Sequence, residues 1–266
     1  EVERLGRRLD VPRARDELAE LARTFNRMLD RLQEGFQQEQ RFVSDASHEL
    51  RTPLTVILGY SDMLSRWGRE DRNILDEGIT SIRSEAENMQ QLIEKLLFLA
   101  RADQKRQAVN KEEVDLAELL ADTMEKMQTV TTSHEVTLGR NDPATVEADP
   151  VLLRQLLRIF LENSLKYTPA GGHIHAYSIR SADGSSVTVT LTDDGIGIAP
   201  EHQARIFDRF YRVDSSRTKE TGGSGLGLSI ARWIAERHDI KIVLRSAVDE
   251  GTTITLTIPI VHDETA

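Results

Sequence analysis

A histidine on a helical face is the first residue whose type suits group-transfer chemistry. The stretch FVSDASHELRTPLT, residues 42–55, places His48 four residues before Thr52. Its apolar residues recur at steps of three and four, which predicts an amphipathic helix. At about 100° per residue, His48 points away from the apolar stripe, and Thr52 shares its face. A neutral imidazole in solvent is a good nucleophile near pH 7. An ordinary surface histidine is the alternative that this segment leaves open.

A proline follows the histidine inside the same predicted helix. Pro53 has no N–H, and its ring clashes with the carbonyl of Glu49. We therefore expect the helix to bend or loosen beside His48.

Two glycine clusters could bring backbone close to a ligand. DDGIGIAP (193–200) follows a predicted strand, and TGGSGLGLSI (221–230) opens a predicted helix. Glycine adopts positive φ, and a helix N-terminus binds anions, so Gly225 and Gly227 could hold phosphates. The spacing excludes a P-loop and a Rossmann fingerprint. Turns also need glycine, which is the alternative.

A third polar element, ENSLKYTP (162–169), ends an apolar helix. The neutral amide of Asn163 is a suitable Mg²⁺ ligand beside phosphates, although a capping or core amide is the alternative. Lys166 faces the same side and could meet a phosphate.

The composition limits the classes of function. The 266 residues include no cysteine, which excludes disulfides and thiolate metal sites. A net charge of −10 argues against sequence-independent nucleic-acid binding, so we expect no nucleic-acid partner. No apolar run approaches the roughly 18 residues that span a bilayer.

The elements that must position these residues fall into two groups. Residues 16–34 predict a helix that can continue into the His48 helix, and a polar turn at 66–72 separates it from a second helix. That second helix has a strict heptad pattern: Leu75, Ile79, Ile82, Ala86, Met89, Ile93, Leu96 and Ala100. Because a helical hairpin alone buries a narrow seam, we expect pairing with a second copy into a four-helix bundle.

Beyond a polar linker at 101–113 the pattern becomes mixed. Helices at 114–127, 150–168 and 225–238 alternate with strands, including a hairpin of 173–180 with 186–194. This order predicts a two-layer α/β sandwich.

Five motifs occur in a fixed order: HELRTP (48–53), Asn163, DxGxG (193–197), FDRFYR (207–212) and GxGxG (223–227). Together they resemble the motif boxes of a sensor histidine kinase of two-component signalling, over roughly residues 36–262. Residues 16–34 resemble the second helix of a HAMP signal-relay domain whose first helix is missing.

The resemblance implies an ATP-binding domain of the gyrase, Hsp90, histidine kinase and MutL type, with ATP and Mg²⁺ as cofactors. His48 would be the phospho-acceptor, and Glu49 would hydrogen-bond its ring or accept its proton. Thr52 would orient water for dephosphorylating the partner. Asp193 would take the adenine amino group, and Asn163 would ligate Mg²⁺. The other implied nucleotide contacts are Gly195 and Gly197 at the base, and Lys166, Tyr167, Arg212, Gly223, Gly225 and Gly227 at the phosphates, with a lid at 208–222.

The resemblance also implies a domain order. We expect a partial HAMP connector and second helix at 1–35, a dimerisation and phosphotransfer hairpin at 36–104, a linker at 105–113 and the ATP-binding catalytic domain at 114–262. The implied partners are a second copy, giving a homodimer, and the receiver domain of a response regulator. Because the chain starts at Glu1, we expect a piece of a longer protein. The resemblance implies the cytoplasmic portion of a bacterial inner-membrane protein, attached through an upstream segment.

Four residues, in three segments, depart from the family pattern. Ile159 stands where ATP-hydrolysing relatives have a water-activating Glu, while Asp239-Ile240 and Asp249 replace frequent glycines. We expect the aspartates to change the shape of turns, and the remaining six histidines to be solvent-exposed. Three functions stay open: a histidine autokinase, a catalytically inactive scaffold that signals by dimer conformation, and an ATP-driven clamp. The first is favoured by His48, Asn163 and Asp193, and the clamp is disfavoured by Ile159.

Overall fold

The structure, a computed structural model, describes residues 8–9, 17–68, 71–213 and 223–260. The chain divides into two compact units after Gln91. Among the described residues, no helix has both the length and the apolarity needed to cross a bilayer.

The first unit is a helical hairpin, as predicted. Helix α1 (Glu17–Trp67) runs for 51 residues, and α2 (Arg72–Asp103) follows after a short turn. The carboxylate of Asp71 accepts the N–H of Asn73 at 2.8 Å, which caps the start of α2. A Cβ on Gly78 would lie 2.7 Å from the side chain of Leu64, so glycine allows the two helices to pack closely there. Residues 92–103 of α2 belong to the second unit.

An apolar seam on the hairpin is open to solvent in the single chain. Val43 is 58% exposed, Leu54 47% and Ile79 54%. Large apolar side chains repeated along both helices need a cover, which agrees with the predicted pairing of two copies.

Helix α1 continues through Pro53 without a break in its assigned length. The hydroxyl of Thr52 reaches the carbonyl of His48 at 3.5 Å, the outer limit for a hydrogen bond. The expected bend beside the histidine stays a prediction.

The second unit contains a five-stranded mixed sheet in the order β2-β4-β5-β7-β6. Strands β2 and β4 are parallel, and the other neighbouring pairs are antiparallel. The bounds are β2 Glu135–Asn141, β4 His173–Arg180, β5 Ser186–Asp193, β6 Lys241–Ala247 and β7 Gly251–Pro259. The predicted hairpin of 173–180 with 186–194 is confirmed, and β6 and β7 form a second antiparallel pair.

One face of this sheet is buried beneath helices α3 (Leu116–Val130), α4 (Pro150–Tyr167) and α6 (Gly227–Arg237). Alternate residues along the strands carry the core, as the two-residue period of a strand requires. The buried members include Ile174, Ala176, Val189, Leu191, Ile254 and Leu256. The predicted two-layer α/β sandwich is confirmed.

Two short elements were not predicted. Strand β1 (Glu112–Asp115) begins inside the segment predicted as linker and pairs antiparallel with β3 (Thr145–Ala148). Helix α5 (Pro200–Gln203) follows the first glycine cluster. Both are too short for a periodic signal.

His238 corrects the expectation that the remaining histidines are exposed, because it is only 3% exposed. Its Nε2 accepts the N–H of Asp149 at 3.0 Å, so its proton lies on Nδ1, which donates to the carbonyl of Ile234 at 2.8 Å. A neutral imidazole thus joins the end of α6 to the start of α4.

Candidate functional site

A buried carboxylate at the end of β5 forms the centre of the site. Asp193 is 9% exposed. Its Oδ1 accepts the N–H groups of Gly195 and Thr252, each at 3.1 Å, and its Oδ2 accepts the hydroxyl of Ser164 at 2.7 Å. These three donors fix the orientation of the carboxylate.

The carboxylate keeps capacity for a ligand. A carboxylate offers about four acceptor positions, two on each oxygen. Both positions of the Asp193 Oδ1 are filled, while Oδ2 has one donor and one free position. A ligand amino group can therefore donate one hydrogen bond to Oδ2.

Burial raises the pKa of Asp193 above its ordinary value, and the hydrogen bonds from Ser164, Gly195 and Thr252 oppose that shift. A carboxylate that is largely removed from water is a strong hydrogen-bond acceptor for the N–H group of a ligand.

The first glycine cluster lets backbone approach this carboxylate. A Cβ on Gly195 would lie 2.7 Å from the carbonyl oxygen of Tyr167 and 2.9 Å from Oδ1 of Asp193. Gly197 has φ +67°, and a Cβ there would lie 1.7 Å from the carbonyl oxygen of Ala247. Gly195 thus borders the Asp193 site directly, whereas Gly197 forms the turn that holds it.

The second glycine cluster joins the site to the FDRFYR motif. Phe210 donates its N–H to the carbonyl of Gly225 at 3.0 Å, and a Cβ on Gly225 would lie 2.7 Å from the Phe210 backbone. Phe210 itself has φ +59°, an unusual conformation for an aromatic residue. A Cβ on Gly223 would lie 2.6 Å from Nζ of Lys166, so this ammonium borders the loop. The close approach strains the backbone where a ligand is expected.

Gly227 and Ile159 account for one departure from the family pattern. Ile159 is 8% exposed, and a Cβ on Gly227 would lie 3.5 Å from its Cγ2, an ordinary contact. Position 159 is therefore apolar packing against the start of α6.

Two buried hydroxyls that the sequence did not single out belong to this site. Among the residues that the structure describes, Oγ1 of Thr168 and Oγ of Ser224 are buried and have no hydrogen-bond partner. Thr168 Oγ1 would lie 3.1 Å from a Cβ on Gly195, and Ser224 lies between two loop glycines. Unpaired buried hydroxyls cost free energy unless something else binds them. They fit a polar ligand with groups at both glycine clusters, as a nucleotide has.

The amide of Asn163 is half-buried on α4, directly before Ser164. Within the described ranges no side chain hydrogen-bonds to it, and no cluster of three or more histidine, aspartate or glutamate side chains could hold a metal by itself. A single neutral oxygen suits a Mg²⁺ ion whose other ligands are phosphates and water.

The remaining predicted phosphate contacts differ in their surroundings: Lys166 and Tyr167 are neighbours at the end of α4, whereas Arg212 belongs to the FDRFYR motif. Lys166 Nζ lies 4.8 Å from the ring centre of Tyr167, which is 38% exposed. Arg212 is half-buried. The predicted lid at 208–222 is described only as far as residue 213.

The HELRTP motif lies in the first unit, on α1. The side chains of His48 and Thr52 are exposed and that of Glu49 is half-buried. Within the described part of the chain, neither the ring of His48 nor the carboxylate of Glu49 makes a hydrogen bond. The sequence prediction that His48 points to solvent is confirmed.

Three family models match successive parts of this chain. Residues 148–262 match the family of histidine kinase-, DNA gyrase B- and HSP90-like ATPases. Residues 38–105 match the His kinase A (phospho-acceptor) domain, and residues 1–34 match the HAMP domain.

Individual proteins agree with the family matches. The chain is 38% identical to the sensor histidine kinase YkoH of Bacillus subtilis (strain 168), over 91% of this chain and 52% of the relative. It is 36% identical to the signal transduction histidine-protein kinase ArlS of Staphylococcus haemolyticus (strain JCSC1435), over 92% of this chain and 54% of the relative. The crystal structure of full-length ShkA in complex with AMPPNP aligns with a TM-score of 0.62 and 25% identity, over 84% of this chain and 46% of that one.

The chain spans about half the length of the curated relatives it matches. The exposed histidine of the HELRTP motif lies in the part matched to the His kinase A domain, and Asp193 lies in the part matched to the ATPase family. The chain therefore belongs to the sensor histidine kinases of two-component signal transduction.

Proposed function

We propose that this chain is an ATP-dependent protein-histidine autokinase, which phosphorylates its own His48 and passes the phosphoryl group to an aspartate of a response regulator. The observation that carries the proposal is the Asp193 carboxylate, where three donors from the described residues leave one acceptor position on Oδ2. The hydroxyls of Thr168 and Ser224, which have no partner among those residues, support it. The AMPPNP bound to ShkA is an adenine nucleotide analogue, which supports the same ligand class here.

The pocket would hold ATP through its own residues. Oδ2 of Asp193 accepts the adenine amino group, Gly195 leaves room for the base beside this carboxylate, and Gly197 contributes by holding the turn. The phosphates lie along the second glycine cluster, where Lys166, beside Gly223, contributes a positive charge. Tyr167 and Arg212 complete the proposed phosphate contacts. Mg²⁺ bound through Asn163 supplies charge neutralisation at the phosphates.

His48 would act as the nucleophile. One imidazole nitrogen uses its lone pair to form the N–P bond, while the bond between the γ-phosphorus and the bridging oxygen breaks and ADP leaves. The proton on the other nitrogen goes to Glu49, one residue along the helix, or to solvent. Exposure of the ring allows a nucleotide held by the other unit to reach it.

The proposed partners follow from the same motifs. The apolar seam at Val43, Leu54 and Ile79 supports a homodimer. A response-regulator receiver domain would accept the phosphoryl group, and the chain would be the cytoplasmic portion of a longer membrane-attached kinase. The division at 1–35, 36–104, 105–113 and 114–262 is part of this proposal.

The autokinase is tested with γ-labelled ATP and Mg²⁺. Acid-labile, base-stable label should appear on the wild type and be lost on His48→Gln, which keeps a polar side chain on an exposed helical face. Steady release of phosphate without labelled protein would indicate a clamp-type hydrolase instead. Nucleotide binding without label or hydrolysis would indicate a scaffold.

Thr52 would also make the protein a phosphatase of its regulator, because its hydroxyl shares the solvent face with His48. Thr52→Ala should slow dephosphorylation of an acceptor regulator while leaving labelling of His48 intact. An unchanged phosphatase rate would remove this part of the proposal. Thr55→Ala, at another exposed threonine of α1, is the matched control.

A further inference from the structure

A positively charged cleft lies in the second unit, away from the nucleotide pocket. Its volume is about 270 Å³, and the end of α2, the segment after it and the last turns of α6 form its walls. We call it the basic cleft; its lining residues are Lys105, Gln107, Val109, Lys111, Trp233 and Arg237. Three cations converge here in a chain whose net charge is −10.

The backbone that carries Lys105 is fixed. Lys105 has φ +55° and stands at the position after the helix cap where glycine is usual. Arg106 donates its N–H to the carbonyl of Arg101 at 2.8 Å, and Lys105 donates its N–H to that of Ala102 at 3.1 Å. These two bonds satisfy carbonyls at the end of α2 with backbone donors, so the Lys105 ammonium is not needed to cap them. A lysine in a left-handed conformation costs free energy that a glycine would avoid.

The cations of the cleft are poorly neutralised. Nζ of Lys111 is 3.9 Å from the carboxylate of Asp239, which is 81% exposed. The guanidinium of Arg237 lies 5.4 Å from the ring centre of Trp233. Across the ranges that the structure describes, no acidic side chain is within salt-bridge distance of Lys105 or Arg237. Like charges lining a concave surface concentrate the field and attract anions.

Trp233 forms a rigid wall of the cleft. Phe98 of α2 meets it edge to face, with ring centroids 5.1 Å apart at 86°. The indole therefore packs against Phe98 of α2 and against Arg237 of its own helix. Because both contacts restrict its orientation, this wall of the cleft is preformed.

The basic cleft is separate from the nucleotide pocket. Helix α6 starts at Gly227 of the second glycine cluster and ends at Arg237 in the cleft. Eleven helical residues span about 16 Å. The volume is small for an organic ligand site, which favours a compact ligand.

We propose that the basic cleft binds a small anion with two or more negative charges, such as an oligophosphate or a phosphorylated metabolite. Lys105, Lys111 and Arg237 bind its charged oxygens, and the amide of Gln107 adds a hydrogen bond. The bound anion would connect the end of α2 to the end of α6. This proposal does not depend on the autokinase, because it concerns different residues.

The test is a titration with inorganic pyrophosphate at constant ionic strength. The chain has two tryptophans, so Trp67→Phe leaves Trp233 as the only indole. Lys166→Gln changes the proposed nucleotide site and not the basic cleft, so it should leave the pyrophosphate affinity unchanged, whereas a loss of affinity in this variant would assign the signal to the nucleotide site. We expect a saturable change in Trp233 fluorescence, and a dissociation constant that rises about three- to tenfold for each of Lys105→Gly, Lys111→Gln and Arg237→Gln.

Matched variants separate binding from folding. Lys105→Gly suits the left-handed backbone, so its melting temperature should equal or exceed that of the parent while its affinity falls. Arg232→Gln removes a cation from the same helix that pairs with Glu236 at 3.0 Å outside the cleft, and it should leave affinity unchanged. If Lys105→Gly does not fold, Lys111→Gln and Arg237→Gln decide. Absence of saturation at millimolar pyrophosphate, or equal affinity in the cleft variants and Arg232→Gln, would overturn the proposal.

Discussion

Arg209 holds the carboxylate of Asp103 with both of its terminal nitrogens, at 2.7 and 2.6 Å. The two residues are 106 positions apart in the chain, and the side chain of Arg209 is 23% exposed. Asp103 ends α2, and Arg209 is the third residue of FDRFYR. The pair therefore attaches the end of the second hairpin helix to the motif that contacts the second glycine cluster.

The coupling free energy of this bidentate ion pair should be measurable by a double-mutant cycle. Asp103→Asn, Arg209→Gln and the double variant should give a coupling free energy of about 1 kcal/mol, since bidentate, half-buried pairs exceed ordinary surface pairs. Urea unfolding supplies the four values. Arg83 and Glu87, an exposed pair on α2, provide the control cycle with a smaller coupling. Equal couplings in the two cycles would contradict the prediction.

Gly197→Ala should be far more damaging than Gly227→Ala. Gly197 has φ +67°, and a Cβ there would lie 1.7 Å from the carbonyl oxygen of Ala247. A Cβ on Gly227 would make only a 3.5 Å contact with Ile159. We expect a loss of about 3 kcal/mol or more for Gly197→Ala and a change within about 0.5 kcal/mol for Gly227→Ala. Chemical denaturation of both variants checks this. A stable Gly197→Ala protein would show that the turn can rearrange.

Asp193→Asn should weaken adenine nucleotide binding by about 10- to 100-fold. The substitution keeps the shape of the side chain, but its amide hydrogens oppose the adenine amino group and leave a buried donor unpaired. Isothermal titration with ADP gives the affinity. Asp194→Asn, at the neighbouring exposed carboxylate, should bind ADP normally. Equal affinities for the two variants would show that Asp193 does not contact the base.

The raised pKa of Asp193 also gives a direction for acid sensitivity. Because burial raises the pKa of this carboxyl, it becomes protonated at a higher pH than an ordinary aspartate, and ADP affinity should fall early on acidification. Asp193→Asn should remove that part of the pH dependence.

Asp249→Gly should stabilise the protein. Asp249 has φ +60° in the turn between β6 and β7, and glycine adopts this conformation without a steric cost. We expect a gain of about 0.5–1 kcal/mol, which raises the melting temperature by about 1–4 °C. Asp249→Ala removes the same carboxylate but keeps the backbone cost, so it should give no gain. A gain in both variants would point to charge rather than conformation.

The contribution of His173 to stability should depend on pH. Its Nδ1 lies 2.8 Å from Oδ2 of Asp194, whose hydrogen bond raises the pKa of His173 above 6.5 and lowers that of Asp194 below 3.8. The stabilisation is fully present below pH 6.5, the ordinary pKa of histidine, and is lost as the pH rises through the pKa that His173 has in the folded protein. On the acid side, the stabilisation is present above pH 3.8, the ordinary pKa of aspartate, and is lost as the pH falls through the pKa that Asp194 has in the folded protein.

Urea midpoints between pH 5 and pH 8 check this. His173→Gln should fall below the wild type near pH 5 to 6 and approach it near pH 8, by a small amount because both groups are largely exposed. His175→Gln, two residues along the same exposed face, should follow the wild-type curve. Parallel curves for His173→Gln would exclude the pair as the cause.

The sequence was informative wherever a short repeat determines an element. The heptad from Leu75 to Ala100 predicted α2, and alternation in β4 and β5 predicted their hairpin. The exposure of His48 followed from its angle to the apolar stripe. These are local properties, because the residues involved are close in the chain.

The features that escaped prediction depend on contacts between distant residues. Thr168 and Ser224 have no pattern that marks them, and they stand out only because folding buries their hydroxyls without partners. His238 is buried because Asp149, 89 positions earlier, donates to it. The left-handed Asp249 was recognised as a departure from glycine, but its conformation needed the structure.

Helix α1 is continuous from Glu17 through His48, a distance of about 46 Å at 1.5 Å per residue. Its backbone hydrogen bonds provide no hinge between these two residues. A rotation about the axis, or a displacement along it, at Glu17 would therefore be carried along the helix to the turn that bears the imidazole.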